Sequence, residues 1–268
     1  MRTLSFFLLL VFFFVGCQSS GSGEATEGTT ESTAVEEPAA KKYTVTPFTP
    51  SASFPDAKIE SVSYENGKFA FDISSDSYEL GVQTPDADQK MCANSAKGQH
   101  IHLIFDRDPY IAKYEAEFEH EVTDGDHHML AFLSRSYHES IKTPDAHVLM
   151  HGTFAAGSMT DSKEVTDPML FYSRPKGTYV GEADTKKVML DFYLANVDLS
   201  AGGYTVKAEI NGEEHMIEKW QPYYIEGLEM GDNTIKLTLL DKDGNAVQTP
   251  LNPVERVFTL QADNAPEQ

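Results

Sequence analysis

The sequence predicts an all-β protein built as two tandem β-sandwiches, and three observations carry that expectation. From about residue 46 onward the chain falls into short alternating runs rich in Val, Ile, Phe, Tyr and Thr. Turn clusters such as Glu65-Asn66-Gly67, Ala201-Gly202-Gly203 and Asp241-Lys242-Asp243-Gly244-Asn245 separate them, which is the pattern of half-buried strands. No part of that region holds a helical period. The chain also repeats itself: Gly125 to Phe154 aligns without a gap to Gly231 to Leu260. Gly125, Asp126, Leu133, Thr143, Pro144, Val148 and Thr153 meet Gly231, Asp232, Leu239, Thr249, Pro250, Val254 and Thr259. Upstream, Lys68 to Ile73 resembles Lys187 to Phe192, and His100 to Leu103 pairs with Thr205 to Ala208. A repeat of this length is a domain duplication rather than a solenoid.

Residues 1–16 read as a targeting segment. Arg2 gives it a positive start, Leu4 to Val15 is almost wholly apolar, and Gly16 precedes Cys17. The apolar run is short for a transmembrane helix. It resembles a bacterial lipoprotein signal, which implies cleavage before Cys17, lipidation of that cysteine and a membrane anchor in the cell envelope, periplasmic or surface-facing. Residues 17–45 are Ser, Gly, Thr, Glu and Ala rich and read as a disordered acidic linker. The first sandwich is expected at 46–157 and the second at 164–262, with the joint in the Gly-, Ser- and Asp-rich stretch Ala155 to Asp167. About a hundred residues and seven strands each is the pattern of an immunoglobulin-like domain. If Cys17 is lipidated, Cys92 is the one cysteine left, so each core holds by burial and no intrachain disulfide. The formal charge of −21 excludes nucleic acid as a partner, because phosphate contacts need Lys and Arg.

Eight of the nine histidines lie between Gly98 and Phe154. The duplication serves as an internal control: what the fold needs appears in both copies. His100, His102, His127, His128 and His138 face Thr205, Lys207, Asn233, Thr234 and Gly244, so folding alone does not require them. Strand parity places Ile101, Leu103 and Phe105 inside, and His100 and His102 on the outer face. In the later strand Met129, Ala131 and Leu133 point inward, which leaves His128, Leu130 and Phe132 outside. Neighbouring strands would then gather the histidines on one apolar patch.

That patch has competing readings. As a metal site it would hold Zn²⁺ or Cu²⁺ through His100, His102 and His128, with Met91, Cys92, Met150 and Met159 as further soft donors for copper. As a contact face it would bind a partner domain, a second protomer or an external ligand through Leu130 and Phe132. Solvated histidines without a role are the third possibility. The loop Arg135-Ser136-Tyr137-His138 offers an anionic-ligand site. Ser134, Ser136, His138 and Glu139 form no nucleophile, base and orienting set, so a binding module is expected rather than an enzyme.

At GQHIHLIFD, FLSRSYHES and WQPYYIEGL the chain resembles a group of uncharacterised bacterial lipoproteins with tandem Ig-like domains, some labelled phosphopeptide-binding. HIHLIFD is also similar to the His-rich opening of a domain of unknown function in secreted proteins. The resemblance implies an envelope-anchored binding protein and, through its label, an anionic or phosphopeptide ligand near Arg135.

Overall fold

Alternation of apolar and polar residues lays down one strand after another. The first series is β1 (Thr44–Pro47), β2 (Lys58–Glu65), β3 (Lys68–Ser74), β4 (His100–Phe105), β5 (Ile111–Lys113), β6 (Glu117–Glu119), β7 (Gly125–Ser134), β8 (His147–Ala155) and β9 (Ser158–Glu164). The second is β10 (Met169–Arg174), β11 (Gly177–Val180), β12 (Val188–Ala195), β13 (Thr205–Ile210), β14 (Glu213–Ile217), β15 (Tyr223–Glu226), β16 (Gly231–Leu240) and β17 (Val254–Gln261), with one helical turn, α1 (Glu182–Thr185), after β11. This is a computed structural model that describes residues 41–263.

The strands form two immunoglobulin-like sandwiches. In the first, a sheet ordered β2-β3-β6 faces a sheet ordered β5-β4-β7-β8-β9. Ile101, Leu103 and Phe105 of β4 and Met129, Ala131 and Leu133 of β7 bury themselves against Tyr64, Phe69 and Phe71. In the second, β1-β15-β12-β10 faces β11-β17-β16-β13-β14, and Val206, Ala208, Ile210, Ile235, Leu237 and Leu239 meet Val188, Leu190 and Phe192. The inward set is the one that strand parity names.

The duplication extends to hydrogen bonds. After β7, Arg135 N–H donates to the Glu139 carbonyl (2.9 Å), His138 N–H to that of Arg135 (2.8 Å) and Ile141 N–H to that of Leu133 (2.9 Å). After β16, Asp241, Gly244 and Val247 N–H groups donate to the Asn245, Asp241 and Leu239 carbonyls at 2.8, 3.1 and 2.9 Å.

The boundaries differ from those expected. Tyr43 is in the second sandwich's core and β1 pairs with β15, so residues 43–47 belong to the second sandwich, not to a linker or to the first. Ala155 to Ser158 is not a joint but the turn of a hairpin, since β9 pairs with β8 along its length. The connection between sandwiches is the short stretch 165–168. Polar β9 reads as a linker because it is an edge strand with most of its residues exposed, so it carries no apolar alternation.

The same outer face meets different surroundings in the two copies. On β13 and β16 it is salt-bridged and open, with Lys207 to Glu209 and Glu214, and Lys236 to Glu209. On β4 and β7 it is covered: Ile104, Leu130 and Phe132 pack with Met169, Phe171, Tyr193 and Ala195 from β10 and β12. Phe132 stacks on Tyr193 with ring centroids 4.9 Å apart. A partly buried ion pair, Lys142 to the fully buried Asp191 at 2.7 Å, pins the seam, and Ser140 N–H donates to the same carboxylate at 2.9 Å. Every residue of β4 is consequently buried.

Candidate metal centre

β4 carries His100 and His102 two residues apart, so both imidazoles leave on its outer face. The loop after β7 brings His138 to them. His138 sits at φ 68, in the left-handed region, at the position where the second copy has Gly244 at φ 80. The turn there demands a residue that tolerates that backbone, and glycine is the inexpensive choice. The first copy puts a histidine there instead.

The three rings converge. His100 Nε2 lies 2.9 Å from His102 Nε2 and 3.0 Å from His138 Nδ1, and the remaining edge of the triangle, His138 Nδ1 to His102 Nε2, is 3.4 Å. A tetrahedral Zn²⁺ with Zn–N bonds of about 2.05 Å holds its nitrogens about 3.3 Å apart, so the triangle is close to a ligand set. His100 and His102 are fully buried, whereas His138 is partly buried.

The surroundings of His100 fix how its ring is protonated. His100 Nδ1 is 2.8 Å from the Gly98 carbonyl, which can only accept. The proton is therefore on Nδ1, and Nε2 presents a lone pair to the triangle. Gly98 is needed for that placement: at φ 85, a Cβ on it would fall 2.5 Å from the Gly81 carbonyl. His102 Nδ1 faces the Ser173 hydroxyl of the second sandwich at 3.4 Å, and its ring stacks on Tyr110 at 3.6 Å and 8°. The Tyr110 hydroxyl is 3.2 Å from His138 Nδ1.

Burial holds all three imidazoles neutral. It lowers His100 to about 4, with Arg174 and Lys176 adding repulsion. Burial again comes first for His102, followed by the other two histidines, and for His138, followed by Arg174; both lie well below the ordinary value. Neutral imidazoles whose ring nitrogens converge can do one of two things. They can share a bridging proton within the triangle, or bind a transition-metal ion.

His128 is not the third member of the cluster. Parity places it on the correct face, but antiparallel register sets Phe132 beside His102 and Leu130 beside Ile104, which leaves His128 at the far end of the strand pair. There its ring lies 4.6 Å from that of His151, and its backbone N–H donates to Asp106 at 2.9 Å.

Arg135 is buried and spends most of its donors inside the fold. Its Nε and Nη2 donate to the Ala52 carbonyl at 2.9 and 2.6 Å, its Nη1 to the Ser140 carbonyl at 3.2 Å, and Glu139 lies 3.5 Å away. The soft donors lie elsewhere: Met150 and Met159 pack in the first sandwich's core, and Met91 is exposed. Cys92 lies beside a separate cluster of Phe48, Tyr137, Met189 and Tyr224, where burial pushes its thiol up to about 12. Cys17 lies outside the described residues.

Tyr110, Ser173, Arg174 and Lys176 complete the surroundings, and sequence reasoning did not find them. The last three come from the other sandwich, and no local spacing announces a contact between residues so far apart in the chain. His138 did leave a signal, a histidine where the other copy has a turn glycine.

No family model matches the sequence, and no curated protein matches it either. Among solved structures the chain is similar to fibronectin(III)-like modules of CbhA from Clostridium thermocellum, at 15% identity over 36% of this chain and 100% of the module, with a TM-score of 0.28. The fold assignment stands on the strand order given above.

Proposed function

We propose that the protein is an envelope lipoprotein whose two β-sandwiches hold a transition-metal ion, Zn²⁺ or Cu²⁺, through His100, His102 and His138. One observation carries the reading: three imidazole nitrogens that the fold does not require meet within 3.4 Å, and one comes from a left-handed position. Imidazole donors suit these ions. The face around Leu130 and Phe132 is an inter-domain contact, buried at 0% exposure against the second sandwich, which closes it to an external ligand and leaves the imidazoles at its edge for a metal.

The test is a calorimetric titration of the metal-stripped chain beginning at Cys17, with Zn²⁺ and Cu²⁺, next to a His100→Ala, His102→Ala double variant. One equivalent bound tightly by the wild type and lost in the variant is the expected result. Equal uptake by both proteins would sink the site. The anchor is checked separately: Cys17→Ala should move the protein from the membrane fraction to the soluble fraction, and unchanged fractionation removes the lipoprotein reading.

A further inference from the structure

The three imidazoles bring no negative charge to the ion they would hold, and the charged groups nearest to them are cations. The Arg174 guanidinium is buried at the seam. It donates from Nε and Nη2 to the Tyr179 hydroxyl at 3.1 and 2.8 Å and from Nη1 to the Tyr137 carbonyl at 3.5 Å. Among the described residues no carboxylate forms an ion pair with it. Lys176 Nζ donates to the Tyr110 carbonyl at 2.8 Å and stands 3.9 Å above the centre of the Tyr110 ring. A divalent ion placed among three neutral ligands beside these two charges would meet unscreened repulsion in a dry setting.

We propose that Tyr110 supplies the missing negative charge as the fourth ligand, binding the ion through its phenolate oxygen. This inference rests on the metal reading above. Position argues for it. The ring is clamped between the His102 imidazole at 3.6 Å and the Lys176 ammonium, so its oxygen is held at the rim of the triangle. Among the described residues that oxygen has one hydrogen-bond partner, His138 Nδ1 at 3.2 Å.

That nitrogen has a single lone pair. An ion that takes it leaves the Tyr110 hydroxyl, on a residue only 4% exposed, without an acceptor, and a buried unpaired donor is costly. Coordination removes the conflict. The O–H bond breaks, its proton goes to solvent, and the oxygen pair forms the bond to the ion. A divalent centre then carries one net positive charge, which Arg174 and Lys176 tolerate far better than two. Three imidazoles and one anionic oxygen are a donor set that Zn²⁺ and Cu²⁺ both accept.

The full chain from Cys17, loaded with one equivalent of Cu²⁺, tests this by absorption spectroscopy. The expected result is a phenolate-to-copper charge-transfer band in the visible. Tyr110→Phe keeps the stacked ring, should abolish the band, and should weaken binding by about tenfold or more. Zn²⁺ titrations in buffers of differing ionisation enthalpy should show the variant releasing one proton fewer per ion. Stoichiometric copper uptake by the wild type without the band overturns the role of Tyr110 and leaves the three-histidine site standing. A band that survives in Tyr110→Phe assigns it to another phenol and also overturns the role. Failure of the wild type to bind either ion overturns the site and Tyr110 together.

Discussion

His138 shows at the scale of one residue how the site departs from the fold that carries it. The hydrogen bonds of its loop match those of the loop around Gly244, and both residues are left-handed. A side chain in that region costs about 1–2 kcal/mol relative to the usual one, partly offset by the greater freedom that glycine loses on folding. Strain of this kind persists where it serves a site. His138→Gly relaxes the backbone by about 1 kcal/mol but takes away the one acceptor of the buried Tyr110 hydroxyl, at about 1–3 kcal/mol. The metal-free variant is therefore expected to lie about 0–2 kcal/mol below the wild type while losing metal binding. Urea midpoints of the stripped proteins and a Zn²⁺ titration measure the two effects. A metal-free variant weaker by more than about 2 kcal/mol, beyond any backbone gain, would make His138 a structural residue.

At the scale of the element, β4 and β7 explain both what could be read from the chain and what could not. The inward set Ile101, Leu103 and Phe105 and the outward set Leu130 and Phe132 were legible because the second copy supplied a reference for parity. Period two gives a face but no position along it, and a register slip changes which residues meet. That is why parity alone groups His128 with His100 and His102, although antiparallel pairing sets it opposite the turn at Asp106. The covering of this face by β10 and β12 was not legible, because nothing local distinguishes an outer apolar patch that faces water from one that faces another sheet. The covered face makes its own prediction. Phe132, at 0% exposure and stacked on Tyr193, should cost about 3–5 kcal/mol when cut to alanine. The loss should appear in one cooperative unfolding transition that includes both sandwiches. A loss below about 1 kcal/mol, far short of that range, or a transition that splits in two, would mean that the seam contributes little to stability.

For the whole molecule, the buried imidazoles tie stability to pH. In the unfolded chain His100 titrates near 6.5, whereas in the folded protein burial lowers it to about 4. Between those values the unfolded chain binds more protons, so stability rises with pH. The contribution of His100 is fully present above pH 6.5 and is lost as pH falls toward 4. The loss amounts to about 2 kcal/mol by pH 5. His102 and His138 are lowered for the same first reason and act in the same direction. The charge of −21 works the other way, since acid relieves the repulsion among carboxylates. At about 0.15 M salt that long-range repulsion is screened, and the buried histidines dominate. The metal-free protein should lose denaturation midpoint steadily from pH 7.5 to pH 5. Zn²⁺ at a hundred times its dissociation constant should add about 2.7 kcal/mol at pH 7.5. Both effects must shrink in the His100→Ala, His102→Ala variant. An acid slope unchanged in that variant would place the pH dependence in His120, His128, His147 and His215, which burial also lowers, and the buried triangle would then have no hold on the stability of the molecule.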